Sequence, residues 1–254
     1  MKKYIPNTLT LLNLFCGSIA VIFAVNNDFI TASFFVFLGI FFDFFDGFFA
    51  RKFKVQGPLG VQLDSLADMV TSGVVPGVVM FKLLSLTIHS GDIIGSSNEW
   101  SNSMFSTEFK ISPLPFIGLF ITLASAYRLA KFNLDEDQQS YFKGLPTPAN
   151  TLLIISLPLI LEFQNSDLMN AIILNTWFLI GLTLLSSYLL NSNIKLFALK
   201  FKAWGFKANA SRYIFILLCL IFLIVLQFAA IPIIIILYIG MSLLDNIALK
   251  QLHK

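Results

Sequence analysis

The stretch DFFDGFFARKFKVQGPLGVQLDSLAD, residues 43–68, places four aspartates among apolar side chains typical of a membrane span. Placing a carboxylate in the middle of a bilayer costs about 2.5–3.5 kcal/mol of free energy on insertion scales. Four such side chains are therefore expected to share one function. Asp43 and Asp46 are three residues apart, and Asp64 and Asp68 are four residues apart. On a helix, each of these spacings puts both carboxylates on one face.

The basic run RKFK and the Gly-Pro pair between the two Asp pairs indicate a cytoplasmic turn between antiparallel helices. All four carboxylates would then converge on one point near the membrane surface. Oxygen ligands without nearby His or Cys suit Mg²⁺ or Mn²⁺ rather than zinc. Two such ions about 3.5–4 Å apart support displacement at phosphorus. We therefore expect two divalent cations, with polar contacts between helices or a proton relay as the alternatives.

The composition is that of a polytopic membrane protein. The chain has 254 residues, of which 57% are hydrophobic and 12% are charged, whereas soluble domains average about 25% charged residues. Cys16 and Cys219 lie in separate apolar runs and are interpreted as buried thiols. His89 and His253 form no metal-ligand cluster. We expect membrane lipids and small substrates as partners, and no nucleic acid.

Hydropathy predicts an all-α membrane helix bundle of about eight transmembrane helices, forming one integral membrane domain over residues 1–254. The apolar segments are 8–25, 29–50, 61–85, 113–132, 149–163, 170–190, 211–228 and 230–247. The first segment is interpreted as a retained helix rather than a cleaved signal peptide. The catalytic helices are expected within about 1–150, with additional spans in about 150–250.

The distribution of basic residues predicts the orientation. With eight spans, all 17 Lys and Arg residues except Lys82 and Lys110 fall on the side of the N-terminus. By the positive-inside rule, both termini and the Asp cluster face the cytoplasm, as in a bacterial inner membrane. The polar stretch 86–112 is expected to be an exposed connector on the other side. The Lys-rich stretch 191–212 is either an interfacial segment or a basic loop.

The spacing D-x2-D-G-x2-A-R-x8-G-x3-D-x3-D resembles, without a gap, the signature of the CDP-alcohol phosphatidyltransferase family. Its fixed positions are Asp43, Asp46, Gly47, Ala50, Arg51, Gly60, Asp64 and Asp68. The resemblance implies an integral membrane enzyme that moves a phosphatidyl group from a CDP-linked lipid to an alcohol and releases CMP.

Outside this motif, four stretches resemble the branch of the family that uses serine. They are 5–17, 60–77, 127–133 and 142–149. The branch implies CDP-diacylglycerol and L-serine as substrates, phosphatidylserine and CMP as products, and a homodimer. Glycerol 3-phosphate or inositol phosphate are the alternative acceptors, and a cation transporter with an acidic site is the alternative class of protein.

The resemblance also implies roles for the aspartates. Asp43, Asp46 and Asp64 would bind one divalent ion, and Asp43, Asp64 and Asp68 would bind the second. Asp68 would in addition be the catalytic base that takes the proton from the acceptor hydroxyl. A carboxylate has two oxygens, which allows both roles.

Further residues are expected to bind the substrates. The resemblance assigns contacts with the CDP-linked lipid to the following positions: Pro6, Asn7, Thr8, Gly47 and Arg51. The small residues Ala50 and Gly60 allow a close approach of helix or nucleotide. Some family members have Ser or Thr where this chain has Gly57, so that hydroxyl contact is absent here.

Arg128, in the stretch SAYRLAKFN, is the remaining candidate. Its planar guanidinium matches a serine carboxylate or a lipid phosphate, or it anchors the helix at the interface. The stretch KGLPTPA, residues 143–149, is either a rigid turn or part of the acceptor pocket.

Overall fold

A computed structural model describes residues 4–92, 112–134, 141–197 and 206–252. Its helices are α1 (Tyr4–Val25), α2 (Phe29–Phe53), α3 (Pro58–Asp68), α4 (Val75–Asp92), α5 (Phe120–Leu134), α6 (Thr147–Phe163), α7 (Asp167–Ile173), α8 (Thr176–Asn191), α9 (Phe206–Leu226) and α10 (Ala230–Leu252). A π-helical turn, Met69–Val74, joins α3 to α4. The 3₁₀ turn Leu114–Leu119 precedes α5, and the 3₁₀ turn Gln227–Ala229 joins α9 to α10.

Each of the eight predicted apolar segments is mainly helical, which confirms a helical chain with several candidate membrane spans. By length and composition, five stretches of the described chain could cross a membrane, or six if the bent pair α7–α8 counts as one span. They are Tyr4–Val25, Phe29–Phe53, Pro58–Ile88, Leu114–Leu134 and Tyr213–Leu244. The shorter helix α6 is also apolar. The count of eight spans and the cytoplasmic termini therefore stay predictions.

The stretch Tyr213–Leu244 is a helical hairpin rather than one long rod. The rings of Phe215 and Tyr238 lie 5.8 Å apart between centroids, whereas a straight helix would separate these residues by about 34 Å. Gln227, in the turn, has a positive φ of 46°. The two predicted segments 211–228 and 230–247 are therefore separate arms, as the sequence indicated.

A two-stranded antiparallel ladder departs from the all-α prediction. Strand β1 (Tyr141–Lys143) pairs with β2 (Lys195–Phe197), so that Lys143 lies opposite Lys195. Part of the stretch 191–212, predicted as an interfacial segment or basic loop, is thus a strand. Residues 198–205 of that stretch, and 93–111 of the predicted connector 86–112, lie outside the described residues.

Gly144 follows strand β1, in the stretch 143–149 that the sequence left as either a rigid turn or part of the acceptor pocket. Its φ is +73°, a region that favours glycine, and an added Cβ would lie 2.6 Å from the Leu190 carbonyl oxygen. Its N–H donates to the carbonyl of Ile194 at 2.9 Å. The turn therefore holds the ladder against the end of α8, which contains Leu190.

Helix packing at the N-terminal end brings the motif helices together. α1 packs along α2 and also contacts α3, the π turn and α4. Asp28 caps α2, because its side chain accepts a hydrogen bond from the Thr31 N–H at 3.1 Å. α2 ends at Phe53, and α3 begins at Pro58, whose fixed φ suits the first turn of a helix. A four-residue turn, 54–57, therefore reverses the chain between the two Asp pairs.

Candidate active site

Three of the four motif aspartates form one cluster. Within the described residues, carboxylate oxygens of Asp43, Asp64 and Asp68 all lie within 4.8 Å of one another. Asp43 lies on α2, whereas Asp64 and Asp68 lie on α3. All three are partly buried. The predicted convergence of the two motif helices is therefore present for these three side chains.

Asp46 is not among the three carboxylates whose oxygens lie within 4.8 Å of one another, but it interacts electrostatically with each of them. Its side chain is only 6% exposed and accepts a hydrogen bond from the Thr10 hydroxyl at 2.5 Å. Arg51, one turn further along α2, attracts the Asp46 carboxylate electrostatically. A residue of α1 thus donates a hydrogen bond to the Asp46 carboxylate. The role of Asp46 as a metal ligand stays a prediction.

Asp68 has a hydrogen-bond partner on α1 as well. The Asn13 amide nitrogen donates to Asp68 Oδ1 at 3.3 Å. The Thr71 hydroxyl, on the π turn, donates to Asn13 Oδ1 at 2.8 Å and lies 3.2 Å from the Asn13 carbonyl oxygen. Asn13 and Thr71 are completely buried. Two of the motif carboxylates are therefore held by polar residues that come from outside the motif.

Sequence reasoning missed Thr10, Asn13 and Thr71 as residues of the site. One signal was available, because Thr10 and Asn13 are three residues apart and so share a face of α1. Both lie in the stretch 5–17 that resembles the serine branch. A comparable signal existed for Thr71, because it is three residues after Asp68 and lies in the stretch 60–77 that resembles the serine branch.

The glycines Gly17 and Gly39 allow this close packing. A Cβ added at Gly39 would lie 2.9 Å from Asn13 Oδ1 and 2.9 Å from Thr71 Cγ2. A Cβ added at Gly17 would overlap the Thr71 side chain. Small residues are the usual means by which membrane helices approach closely. Here they bring α1, α2 and the π turn to one polar junction.

Two predicted lipid contacts lie together on α2. The guanidinium of Arg51 folds over Gly47, where an added Cβ would lie 3.4 Å from Arg51 Nη1. Arg51 is exposed, and Ala50 beside it is partly buried. This arrangement leaves the positive charge of Arg51 accessible next to the buried carboxylate of Asp46.

The start of α1 carries the other predicted contacts. Pro6 is buried, and Asn7 lies close to α3, since an added Cβ at Gly60 would lie 3.6 Å from Asn7 Oδ1. Thr8 is exposed, and its hydroxyl donates to the Tyr4 carbonyl at 3.0 Å. The structure thus brings Asn7 and Gly60 together, while Thr8 bonds within its own helix.

Arg128 lies on α5 at the edge of the Asp cluster. It is 9% exposed, its Nε is buried without a hydrogen-bond partner, and it attracts Asp68 electrostatically. It lines a small cavity that is partly open to solvent. The other lining residues are Lys131, Phe132, Lys143, Leu190, Asn191 and Ser192.

Polar contacts also tie α3 to the end of α5. Ser65 lies one residue after Asp64, and its hydroxyl accepts a hydrogen bond from the Asn133 amide nitrogen at 2.9 Å. Asn133 and Arg128 are both on α5. This contact connects the helix of the aspartates to the helix that carries the cavity.

The donor set of the cluster fits a hard divalent cation. Three carboxylates within 4.8 Å repel one another when ionised, and a bound cation relieves that repulsion. Mg²⁺ and Mn²⁺ prefer oxygen ligands of this kind. Asp43, Asp64 and Asp68 are therefore the residues of the described chain that could hold such an ion.

Comparison with known proteins agrees with this chemistry. The family model described as CDP-alcohol phosphatidyltransferase matches residues 3–188. A CDP-diacylglycerol–serine O-phosphatidyltransferase of Bacillus subtilis is 31% identical over 174 residues, which are 67% of this chain and 81% of that protein. A protein of the same name from Methanocaldococcus jannaschii is 30% identical over 182 residues, covering 72% and 71%. The archaetidylserine synthase of Methanothermobacter thermautotrophicus is 24% identical over 155 residues, covering 60% and 56%.

Proposed function

Because this chain belongs to the CDP-alcohol phosphatidyltransferase family, we propose that it transfers a phosphatidyl group from CDP-diacylglycerol to the hydroxyl of L-serine. The products are phosphatidylserine and CMP. Membership of the family makes the chain a transferase of phospholipid synthesis, and the printed names of its relatives favour serine as the acceptor. The observation that carries the proposal is the cluster of Asp43, Asp64 and Asp68.

The aspartates are proposed to hold two divalent cations, Mg²⁺ or Mn²⁺. Asp43, Asp46 and Asp64 would bind one ion, and Asp43, Asp64 and Asp68 the other. When bound, such ions lower the charge of the diphosphate and stabilise CMP as the leaving group. The second of these ligand sets coincides with the three-carboxylate cluster.

Asp68 is proposed to act as the general base. It takes the proton of the serine hydroxyl, and the serine oxygen forms a bond to the phosphorus that carries the lipid. The bond between that phosphorus and the oxygen of the CMP phosphate breaks, and CMP leaves with the electron pair. A serine hydroxyl is a weak acid, so the base must be well oriented to contribute.

Residues of α1, α2 and α3 are proposed to bind the CDP-linked lipid. Arg51, accessible over Gly47, would contact the diphosphate, because a guanidinium pairs with phosphate oxygens through a planar fork. The small residues Ala50 and Gly60 would let the nucleotide approach the backbone, beside Pro6, Asn7 and Thr8 at the start of α1. A Cβ added at Gly60 would lie 3.6 Å from Asn7 Oδ1, and this proximity supports a common site for α1 and α3.

The cavity beside the cluster is proposed to bind the acceptor. Arg128 is buried, its Nε has no hydrogen-bond partner, and it is attracted to Asp68, so a carboxylate bound to Arg128 would keep the serine hydroxyl near the base. Lys131 and Lys143 add positive charge to the lining. Because the same charges suit a phosphate, glycerol 3-phosphate is the competing acceptor that the experiment must include.

The proposal places the active site at the cytoplasmic face of the inner membrane. The Lys and Arg residues concentrate on the side of the chain that carries both predicted termini and the turn 54–57. CMP is water-soluble, so its release at a cytoplasmic surface is consistent with this orientation. A homodimer remains an expectation from the resemblance.

The decisive experiment measures CMP release by the purified protein in detergent or vesicles with CDP-diacylglycerol and Mn²⁺ or Mg²⁺. L-Serine, glycerol 3-phosphate and inositol phosphate are offered in parallel. We expect CMP release when serine is the acceptor and not with the other two acceptors. We also expect this release to stop when a chelator removes the cations. Release with glycerol 3-phosphate but not serine would reassign the acceptor. Cation uptake by vesicles without CMP release would instead support a transporter.

A further inference from the structure

The hydrogen bond between Asn13 and Asp68 holds one oxygen of the proposed base. Asn13 Nδ2 donates to Asp68 Oδ1 at 3.3 Å, and Asn13 has no exposed surface. Water therefore has no access to replace the amide. A carboxylate at the end of a rotatable side chain needs such a partner to keep one orientation.

Thr71 determines which end of the Asn13 amide faces Asp68. Its hydroxyl lies 2.8 Å from Asn13 Oδ1 and 3.2 Å from the Asn13 carbonyl oxygen, and both atoms are acceptors. The Thr71 hydroxyl must therefore donate to Asn13. Because Oδ1 is engaged by Thr71, the donating nitrogen of the amide is directed to Asp68.

Thr71 makes this contact from the π turn. Asp68 is the last residue of α3, and Thr71 lies within the turn Met69–Val74 that follows. Single π-helical turns inside helices occur frequently at functional sites. The glycines Gly17 and Gly39 leave the space that Thr71 fills against α1. Asp68 and Thr71 therefore come from one short segment of the chain. Asn13, on α1, bonds to both of their side chains.

We propose that Asn13 and Thr71 are positioning residues for Asp68: Thr71 orients the Asn13 amide, and the amide holds the Asp68 carboxylate toward the cluster and the acceptor. The inference rests on the proposed function for the role of Asp68 as base. The hydrogen-bonded chain itself is independent of the identity of the acceptor. If Thr71 only packed α1 against the π turn, loss of its methyl group would matter more than loss of its hydroxyl. Two substitutions distinguish this structural role from a positioning role.

The test compares Thr71→Val with Thr71→Ser. Valine keeps the shape of threonine but removes the hydroxyl, and serine keeps the hydroxyl but removes a methyl group. Positioning residues of this kind typically change metal affinity or activity by about 10–100-fold when they are replaced. We expect Thr71→Val to lower kcat and to weaken Mn²⁺ binding by about tenfold, with the KM for serine unchanged, and Thr71→Ser to resemble the wild type.

Mn²⁺ binding is measured by the electron paramagnetic resonance signal of free Mn²⁺, without substrates, so that one readout does not depend on turnover. Asn13→Leu is expected to have the larger effect, up to about 100-fold, because it removes the donor itself. Thermal unfolding is recorded for every variant. If Asn13→Leu does not fold, the comparison of Thr71→Val with Thr71→Ser still tests the inference.

Thr151→Val is the matched control. Thr151 is also completely buried, and its hydroxyl donates to the Ser72 carbonyl of the same π turn at 2.9 Å. Its hydrogen bonds involve neither Asn13 nor Asp68. Thr151→Val should therefore leave kcat and Mn²⁺ affinity at wild-type values.

Three results would overturn the inference: Thr71→Val with wild-type kcat and Mn²⁺ affinity, a greater loss in Thr71→Ser than in Thr71→Val, or equal losses in Thr151→Val. Failure of the wild-type protein to release CMP with serine would contradict the proposed function instead. In that case the Mn²⁺ measurements would still test the orientation of Asp68.

Discussion

The segment that carries the aspartates and the hairpin of α9 and α10 are both strongly apolar, but they meet different surroundings. In the stretch Pro58–Ile88, 56% of the most apolar window is buried inside the protein, whereas in Tyr213–Leu244 only 17% is buried. The hairpin is the more hydrophobic of the two, with a mean hydropathy of 3.1 against 1.7. Of these two segments, the one with the higher hydropathy is therefore the less buried, and hydropathy does not identify the interior of the protein.

This difference follows from the membrane as a solvent. Lipid chains are as apolar as leucine, so helices gain little from burying aliphatic side chains against one another. The interior around the aspartates is instead assembled from small residues and hydrogen bonds, as the contacts of Thr10, Asn13 and Thr71 show. Polar groups in this interior bond to the aspartates or to one another, whereas the hairpin presents aliphatic side chains outward, such as Ile224 and Ile236.

The largest effect is expected at Asp68, the proposed base. Asp68→Asn keeps the size of the side chain but removes the carboxylate that is proposed to accept the proton, which should lower kcat by about 10²–10⁴. Asp28→Asn is the matched control. Asp28 caps α2 away from the cluster, and Asn caps a helix as well as Asp does. Both variants are assayed for CMP release with saturating serine and Mn²⁺. An Asp68→Asn enzyme that retained about a tenth or more of wild-type kcat would contradict the role of base.

Glycine substitutions test whether close packing distinguishes the two regions. Gly39→Ala places a methyl group 2.9 Å from Asn13 Oδ1 and from Thr71 Cγ2, so the junction must open. Overpacking of this kind costs about 1–3 kcal/mol of stability, and we expect kcat to fall with it. Gly240→Ala, in α10, meets nothing within 4 Å. Unfolding temperature and CMP release are measured for both variants. Equal effects of Gly39→Ala and Gly240→Ala would mean that close packing does not distinguish the region of the aspartates from the hairpin.

The sequence was sufficient to predict the parts of the site that carry formal charge. An aspartate within a membrane span is costly, so the spacing of Asp43, Asp64 and Asp68 indicated a cluster that the structure contains. Asp46 shows the limit of this reasoning. Helical spacing placed it on the same face as Asp43, but it could not show that the Thr10 hydroxyl would engage its carboxylate.

Other features depend on interactions between distant segments, and spacing alone could not predict them. Thr71 lies in the π turn after Asp68 and bonds to Asn13 of α1, and spacing within one helix could not show which residue of another helix it would meet. Strands β1 and β2 are more than fifty residues apart in the sequence. Each of them is only three residues long. Strands this short leave no clear alternation in the sequence. Arg128 was recognised by its residue type, but its cavity required the fold.

A smaller effect is expected at Arg128, because its proposed role is to bind the acceptor and not to take part in the bond changes at phosphorus. Arg128→Lys keeps the charge and removes the planar fork, so we expect the KM for serine to rise by about tenfold with little change in kcat. Lys131→Gln is the comparison, since Lys131 is exposed at the same cavity and is expected to matter less. Initial rates over a range of serine concentrations give both constants. An unchanged KM for serine in Arg128→Lys would instead point to a lipid phosphate or to anchoring.

The smallest effect on catalysis is expected where α6 meets the hairpin. Gln164 Nε2 donates to the Leu226 carbonyl at 2.8 Å, and Gln164 Oε1 accepts from the Ala229 N–H at 2.8 Å. This one side chain therefore joins both ends of the hairpin turn, which contains the strained Gln227. Each hydrogen bond contributes about 0.5–1.5 kcal/mol, so Gln164→Leu should lower the unfolding temperature by a few degrees.

The same variant should leave kcat and the KM for serine unchanged, because Gln164 bonds to the hairpin and not to the residues that hold the aspartates. Glu162→Leu, at an exposed position two residues earlier on α6, is the control for the polar-to-apolar change. Thermal unfolding and CMP release are measured on the same preparations. A loss of kcat in Gln164→Leu without a change in unfolding temperature would mean that the hairpin contributes to catalysis, and the division between a polar catalytic interior and a lipid-facing hairpin would then be wrong.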